Sequence, residues 1–253
     1  MSISAARYEI KYQVPAHRIP TLHQWMLRSQ AFFKREHKDR YVNNIYFDTP
    51  TWQDAADNLV GLSERAKYRV RWYGNPRDYS EDSASLVKMV LEEKIKKNKL
   101  GIKRSYQLGE FDLSQMSVDV LVQKIADCDF HLSDPSEPGT MNMPKNSEAY
   151  FSWRKRAINP VTRNQYKRAY YLDRTGLVRM TIDSEQQHGL VYKNAAIDPI
   201  KLPMRESQII VEFKAVEENF ERLKQVVQKF PFRPTRNSKY LKAASQIAQV
   251  PYF

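Results

Sequence analysis

One cysteine, Cys128, is all that the 253 residues contain. That excludes a disulfide framework and a zinc site built from several thiolates. A lone thiol fits a reducing compartment, so a cytoplasmic location is expected. Glycine is scarce as well, at seven residues, and no Gly-rich phosphate loop opens a helix. With no regular strand–helix alternation either, a doubly wound sheet is excluded. No apolar run approaches the ~20 residues that span a bilayer, and Met1–Glu9 lacks the apolar core of a secretory signal. No membrane segment is expected. No period of about 20–50 residues recurs, which removes solenoids and propellers. The five histidines, His17, His23, His37, His131 and His188, show no paired metal spacing, so zinc is not expected.

What the chain has in excess is positive charge. Lys and Arg number 41 against 29 Asp and Glu, a net charge of +12, and aromatic residues make up 12%. A surplus of this kind points to a polyanionic partner: phosphates, nucleic acid or an acidic membrane surface. With 42% hydrophobic residues the composition is globular, and the length suits one large domain with an ample core.

Alternation and helical periodicity place the elements. Strands are expected at Arg7–Val14, Val42–Asp48, Lys67–Trp72, Leu86–Lys97, Ile102–Leu108, Arg163–Leu172, Leu177–Asp183 and Gln208–Ala215. Helices are expected after Ile19, across Val118–Ile125, across Phe220–Phe230 and from Ser238 onward. The segment up to Gly61 carries no clear pattern, and Arg77–Ser85 and Asp127–Asn146 read as loops. About eight strands joined by hairpins or helical excursions, with no linker, give one α+β domain over residues 1–253. Its centre is a large antiparallel sheet open to closure into a barrel.

The strand Lys67–Gly74, Lys-Tyr-Arg-Val-Arg-Trp-Tyr-Gly, organises the functional reading. Side chains alternate along a strand, so Lys67, Arg69 and Arg71 share one face while Tyr68, Val70 and Trp72 share the other. A single-sign row expects an anion. Other strands repeat it with a carboxylate added: Glu9-x-Lys11, Glu92-x-Lys94, Arg168, Arg179 and Glu212-x-Lys214. If the sheet closes with these faces inward, like charges crowd each other and lose solvation, and a polyphosphate would neutralise them. Arginine suits that task because its planar fork meets two phosphate oxygens at once. The carboxylates Glu9, Glu92 and Glu212 would repel phosphate unless an oxygen-ligated Mg²⁺ or Mn²⁺ stood between them.

Seven motifs then occur in order: Arg7-Tyr-Glu-Ile-Lys-Tyr, Tyr46-Phe-Asp-Thr-Pro, the Lys67–Gly74 strand, Glu92-Glu-Lys, Arg179-Met-Thr-Ile-Asp, Val211-Glu-Phe-Lys and Ser238-Lys-Tyr. Together, over about residues 7–245, they resemble the VTC (polyphosphate polymerase) domain. That family is a branch of the triphosphate tunnel metalloenzymes, which also include the CYTH proteins. The resemblance implies an eight-stranded antiparallel β tunnel, a closed barrel with helices packed outside. It also implies transfer of the ATP γ-phosphate to a growing polyphosphate chain within the tunnel. It assigns phosphate contacts to Lys11, Arg69, Arg71, Lys94, Arg168, Arg179 and Lys214, with Arg69 and Arg71 central to the reaction; Lys67, nearer the strand start, is expected to meet substrate at the rim. Glu212 becomes a metal ligand, joined by Glu9 and Glu92, and Lys239 closes over the tunnel mouth.

Two departures bear on these expectations. Hydrolytic CYTH members open with Glu-x-Glu-x-Lys, whereas this chain reads Arg7-x-Glu9-x-Lys11. One carboxylate fewer tilts the chemistry away from hydrolysis. The transmembrane and SPX regions of the eukaryotic polymerases are not in this sequence, so coupled export is not expected. Three activities stay open: polyphosphate polymerase with ATP and polyphosphate or pyrophosphate as partners, tripolyphosphatase or nucleoside triphosphatase, and a non-catalytic binder of polyphosphate or nucleic acid. Nucleic acid is not expected as the partner of the leading reading. Elsewhere bland roles suffice. Tyr46 and Asp48 read as a strand end, Asp183 equally as a turn-closing residue or a metal ligand, Lys96, Lys103 and Arg104 as solvated charge near a hairpin end, and Cys128 as a small packing residue.

Overall fold

A computed structural model describes residues 2–4, 7–75, 86–97, 100–127, 158–192, 195–197 and 204–248. Ten strands are present among them: β1 (Ser2–Ser4), β2 (Arg7–Val14), β3 (Lys34–Asp48), β4 (Glu64–Tyr73), β5 (Leu86–Lys97), β6 (Leu100–Asp112), β7 (Asn159–Leu172), β8 (Arg179–Leu190), β9 (Met204–Arg205) and β10 (Ile209–Val216). Eight of them are eight residues or longer, and all pair antiparallel in one sheet of order β1-β6-β5-β4-β3-β7-β8-β10-β2, with β9 on β8. Among the described residues five α-helices accompany the sheet: α1 (Ile19–Arg28), α2 (Gln53–Leu59), α3 (Val118–Asp127), α4 (Phe220–Val227) and α5 (Lys239–Ala248). No helix of the described residues is long and apolar enough to cross a membrane. Of the loops expected at 77–85 and 127–146, only Asp127 is described, as the last residue of α3; the rest, with Cys128 and His131, lie outside the described residues.

The apolar faces of the strands turn outward and the polar faces inward. Tyr68, Val70 and Trp72 of β4 join Val87, Met89 and Leu91 of β5 in a core that takes in Leu121 and Ile125 of α3. On the opposite flank Tyr12, Met180, Val211 and Phe213 pack with Leu22, Leu223 and Phe230, covered by α1 and α4. Aromatic edges knit this second core, with Phe230 4.4 Å from Tyr12 and 4.7 Å from Trp25 between ring centroids. A third cluster of Tyr46, Ala55, Tyr240, Leu241 and Ala244 seats α5 on α2 and β3. Helices on the convex side thus take the apolar residues, which leaves the other face to charge.

The hydrogen-bond ladder is open, which corrects the expectation of a closed barrel. The strand that would close it is divided between two partners: Ser2–Ser4 pair with β6, and Arg7–Val14 pair with β10. No described residue of that segment pairs on both sides. The two edges nevertheless meet by chain continuity, since three residue steps from Ser4 to Arg7 span at most about 11 Å. The sheet is strongly curled: Glu9 of β2 and Lys94 of β5 lie 3.7 Å apart, although six strand spacings would separate these strands by about 29 Å in a flat sheet.

Several strands run further than expected: β6 continues to Asp112, β7 starts at Asn159 and β8 continues to Leu190. β3 starts at Lys34, eight residues before the expected strand, because its polar first half has no apolar alternation and is held by pairing with the end of β7. Helix α2 was not expected. It forms because Asp48 accepts backbone N–H bonds from Thr49, Asp54 and Ala55 at 2.7, 2.8 and 2.9 Å, satisfying its first turn from the preceding strand. The hydroxyl of Tyr240 also donates to Asp48, so one buried carboxylate ties β3, α2 and α5 together.

Candidate functional site

The concave face gathers charges from seven strands and one helix. On β4, Arg69 lies in register with Glu92 of β5, and its Nε and Nη2 donate to Glu92 Oε2 at 2.6 and 2.5 Å. Lys103 of β6 donates to the other oxygen at 2.8 Å, and Arg71 lies 3.8 Å away. Burial alone would raise the Glu92 carboxyl, but Arg69, Arg71 and Lys103 hold it well below the usual carboxylate range. Lys103 is therefore an inward cation. Arg104, on the outer face, is also buried, donating to Glu93 at 3.2 Å. The solvated role expected for Arg104 is corrected, and Lys103, though 38% exposed, is held in the Glu92 ion pair.

A second group sits on β2 and β10. Lys11 reaches Glu9 at 2.6 Å and Glu212 at 3.5 Å. Lys214 reaches Glu212 at 3.1 Å and Glu9 at 3.7 Å. Two lysines thus bridge two carboxylates. Burial opposes the charge on Lys11, yet Glu212 and Glu9 raise its pKa above the ordinary lysine value. Burial likewise works against ionised Glu212, and Lys214, Lys11 and Arg168 keep it ionised far below its ordinary pKa.

The third group joins β7, β8 and α5. Arg168 forks onto Asp183 at 2.5 and 2.7 Å, and Lys239 donates to the same carboxylate at 2.5 Å. Against the effect of burial, these two cations hold Asp183 at about 2. Tyr166 stands between the groups, accepting from Arg71 at 3.2 Å. Burial pushes its hydroxyl up, but Arg168, Arg71 and Lys239 bring it down to about 8. Arg71 also donates to Asn44 at 3.0 Å, and Asn44 donates to Asn164 at 2.9 Å. The Asn164 amide nitrogen is buried with no partner of its own.

Lys67 is different. Its ammonium donates to Ser238 at 3.0 Å. Burial and then Lys11, Lys94, Arg65 and Arg69 depress its pKa well below the lysine value. Across the three groups, with Lys67 and with Lys94 beside Glu9, nine basic side chains face four carboxylates. That excess is an electrostatic vacancy for an anion with several charges. Each carboxylate meanwhile pre-positions the guanidinium or ammonium groups that would receive it.

Lys11, Lys67, Arg69, Arg71, Lys94, Arg168, Lys214 and Lys239 all reach this face, as do Glu9, Glu92 and Glu212. Arg179 lies at the rim, 44% exposed and paired with Glu36 at 2.7 Å. Glu92 stands apart from the other two glutamates among its own cations. No group of three metal-binding side chains exists among the described residues. Glu9 and Glu212 do fit a hard divalent cation, because such ions need only one or two carboxylates when phosphate oxygens complete the shell. Sequence reasoning left Asp183 open between a turn-closing residue and a metal ligand, where the structure makes it the ion-pair partner of Arg168 and Lys239, and it gave no site role to Lys103, Tyr166, Asn44 or Ser238. The alternation of β8 put Asp183 on the face of Arg179, which was the available signal.

A family profile described as the VTC domain matches residues 6–248. Comparison with curated proteins finds no match. Among solved structures, an adenylate cyclase candidate from Bacillus halodurans is similar at 12% identity with a TM-score of 0.50, covering 96% of this chain and 98% of that one. The PH1819 protein from Pyrococcus horikoshii OT3 is similar at 13% identity with a TM-score of 0.45, covering 94% and 99%.

Proposed function

Because the chain belongs to the VTC domain family, we propose that it is a metal-dependent phosphotransferase that elongates inorganic polyphosphate with the γ-phosphate of ATP. The curled sheet acts as the tunnel in which the reaction takes place. The observation that carries this reading is the surplus of inward cations over carboxylates on a face walled by strands. A single phosphate would not use so extended a row, whereas a chain of phosphates would.

In this reading Arg69, Arg71 and Arg168 clamp successive phosphates, and Lys11, Lys94 and Lys214 neutralise their remaining charge. Glu9 and Glu212 hold Mn²⁺ or Mg²⁺, which when bound offsets charge on the transferred group. Glu92 and Asp183 orient the arginines until substrate replaces them. The bond from the γ-phosphorus to the β–γ bridging oxygen breaks. A terminal oxygen of the acceptor chain forms the new bond, and ADP leaves with the electron pair. That acceptor oxygen is already ionised, so no general base is needed, and positioning with charge neutralisation suffices.

Hydrolysis would call for activation of water. Arg7 stands where the opening motif of hydrolytic CYTH members carries a further carboxylate, so one candidate for activating water is missing. This supports transfer over hydrolysis. The test is incubation of the purified chain with ATP and Mn²⁺, followed by a denaturing gel stained for polyphosphate. A ladder of long chains that disappears in Arg71→Ala is expected. Orthophosphate alone would make the protein a hydrolase, and no product at all would make it a binder.

A further inference from the structure

The two ends of the concave face are built differently. At one end α5 is in place, with Lys239 on Asp183, Ser238 on Lys67 and Tyr240 stacked 5.2 Å from Tyr46. The other end lies six residues back along β3, about 20 Å away, and carries Arg40. Arg40 is exposed and stands in register with Arg168. Its guanidinium lies 5.8 Å from the Tyr73 ring and 5.9 Å from the Tyr170 ring. His37 adds an edge contact to Tyr170 at 5.7 Å. Tyr73 is 44% exposed, yet its position is set: Gly74 donates its N–H to the Tyr41 carbonyl at 3.2 Å, and Asn43 donates to the Gly74 carbonyl at 3.1 Å.

We propose that Arg40, Tyr73 and Tyr170 form the site for the base of a nucleoside triphosphate. The inference rests on the reading of this face as a triphosphate site. An exposed guanidinium beside two phenol rings, one of them itself exposed, offers stacking surface to a flat π-system and little that reads its edge. Such a site accepts purines and pyrimidines alike. From Arg40 to Asn44, the residue that holds Arg71, β3 advances about 13 Å. A base, a ribose and three phosphates in a row bridge that span. Entry from the α5 end would instead require Lys239, Ser238 and Tyr240 to leave their partners. The nucleotide therefore enters opposite α5, base last.

Calorimetric titration of the full chain with ATP and, separately, with inorganic tripolyphosphate, both with Mn²⁺, tests this. Arg40→Ala and the charge-neutral Tyr73→Leu are expected to weaken ATP about tenfold and to leave tripolyphosphate within twofold. Both positions are exposed, and a melting curve checks that each variant is folded. If Arg40→Ala fails to fold, Tyr73→Leu decides alone. Unchanged ATP affinity overturns the base site, and so does an equal fall for both ligands, which would make Arg40 a phosphate contact. If the unaltered chain binds neither ligand, the triphosphate reading itself fails. Failure of the base site alone leaves tripolyphosphate binding intact.

Discussion

Arg69 and Glu92 face each other across β4 and β5, joined by two contacts of 2.6 and 2.5 Å to a single carboxylate oxygen. The pair is buried enough that neither member tolerates loss of the other. Arg69→Ala is expected to lower stability by about 3 kcal/mol, because it leaves a buried carboxylate short of its main partner. It should also weaken tripolyphosphate binding at least tenfold. Arg69→Lys restores charge but not the fork, so it should recover stability in part and binding little. Calorimetry and thermal melts read both effects.

Asp183 takes the place of an anion between Arg168 and Lys239. Asp183→Asn should cost about 3 kcal/mol, or roughly 6–12 °C in melting temperature for a chain of this size. Tripolyphosphate should restore more of that loss in the variant than it adds to the unaltered protein. The carboxyl is held at about 2, below its ordinary 3.8. Its stabilisation is therefore complete above about pH 4 and is lost as pH falls toward 2. The acid limb of the stability curve should flatten in Asp183→Asn.

Against the effect of burial, Arg168, Arg71 and Lys239 hold the Tyr166 hydroxyl below the ordinary tyrosine value. With its hydroxyl lowered to about 8, a phenolate forms on the phosphate-binding face as pH rises through that value, and anion affinity should fall. Lys67, whose pKa is also depressed, loses charge as pH rises and acts in the same direction. In a Lys67→Arg background that position stays charged. Tyr166→Phe in that background should flatten tripolyphosphate affinity between about pH 7 and 9.

Tyr240 secures α5 from outside the charged groups. Tyr240→Phe removes the hydroxyl bond to Asp48 but keeps the ring beside Tyr46 and Lys67. A loss of about 1–2 kcal/mol is expected, with tripolyphosphate affinity within twofold. A larger loss of binding would mean that α5 positions Lys239 through this bond.

Much of this arrangement is legible in the chain because period-two alternation sorts residues by face before any partner is known. Arg69 and Arg71 point inward while Tyr68, Val70 and Trp72 fill a core, as the strand pattern requires. The face assignments of Glu9, Lys11, Glu212 and Lys214 follow in the same way. Pairing is what alternation does not carry. Asp183 meets Lys239 across 56 residues and Arg168 across 15, and its own neighbours in sequence do not indicate either. Lys103 and Arg104 adjoin in sequence and look alike, yet one faces the cation row and the other a buried glutamate behind it. Closure of the sheet depended on how two short runs at the N-terminus divide their partners, and alternation does not decide that.

The central claim is that the inward cation row of the curled sheet binds a chain of phosphates beside a divalent ion. A crystal structure of the protein with tripolyphosphate and Mn²⁺ tests it directly. The account predicts phosphate density between Arg69, Arg71, Arg168 and Lys214, an anomalous peak against Glu9 and Glu212, and Asp183 parted from at least one of its two cations. Phosphate bound only on the convex surface, with every one of these ion pairs unchanged, would contradict it.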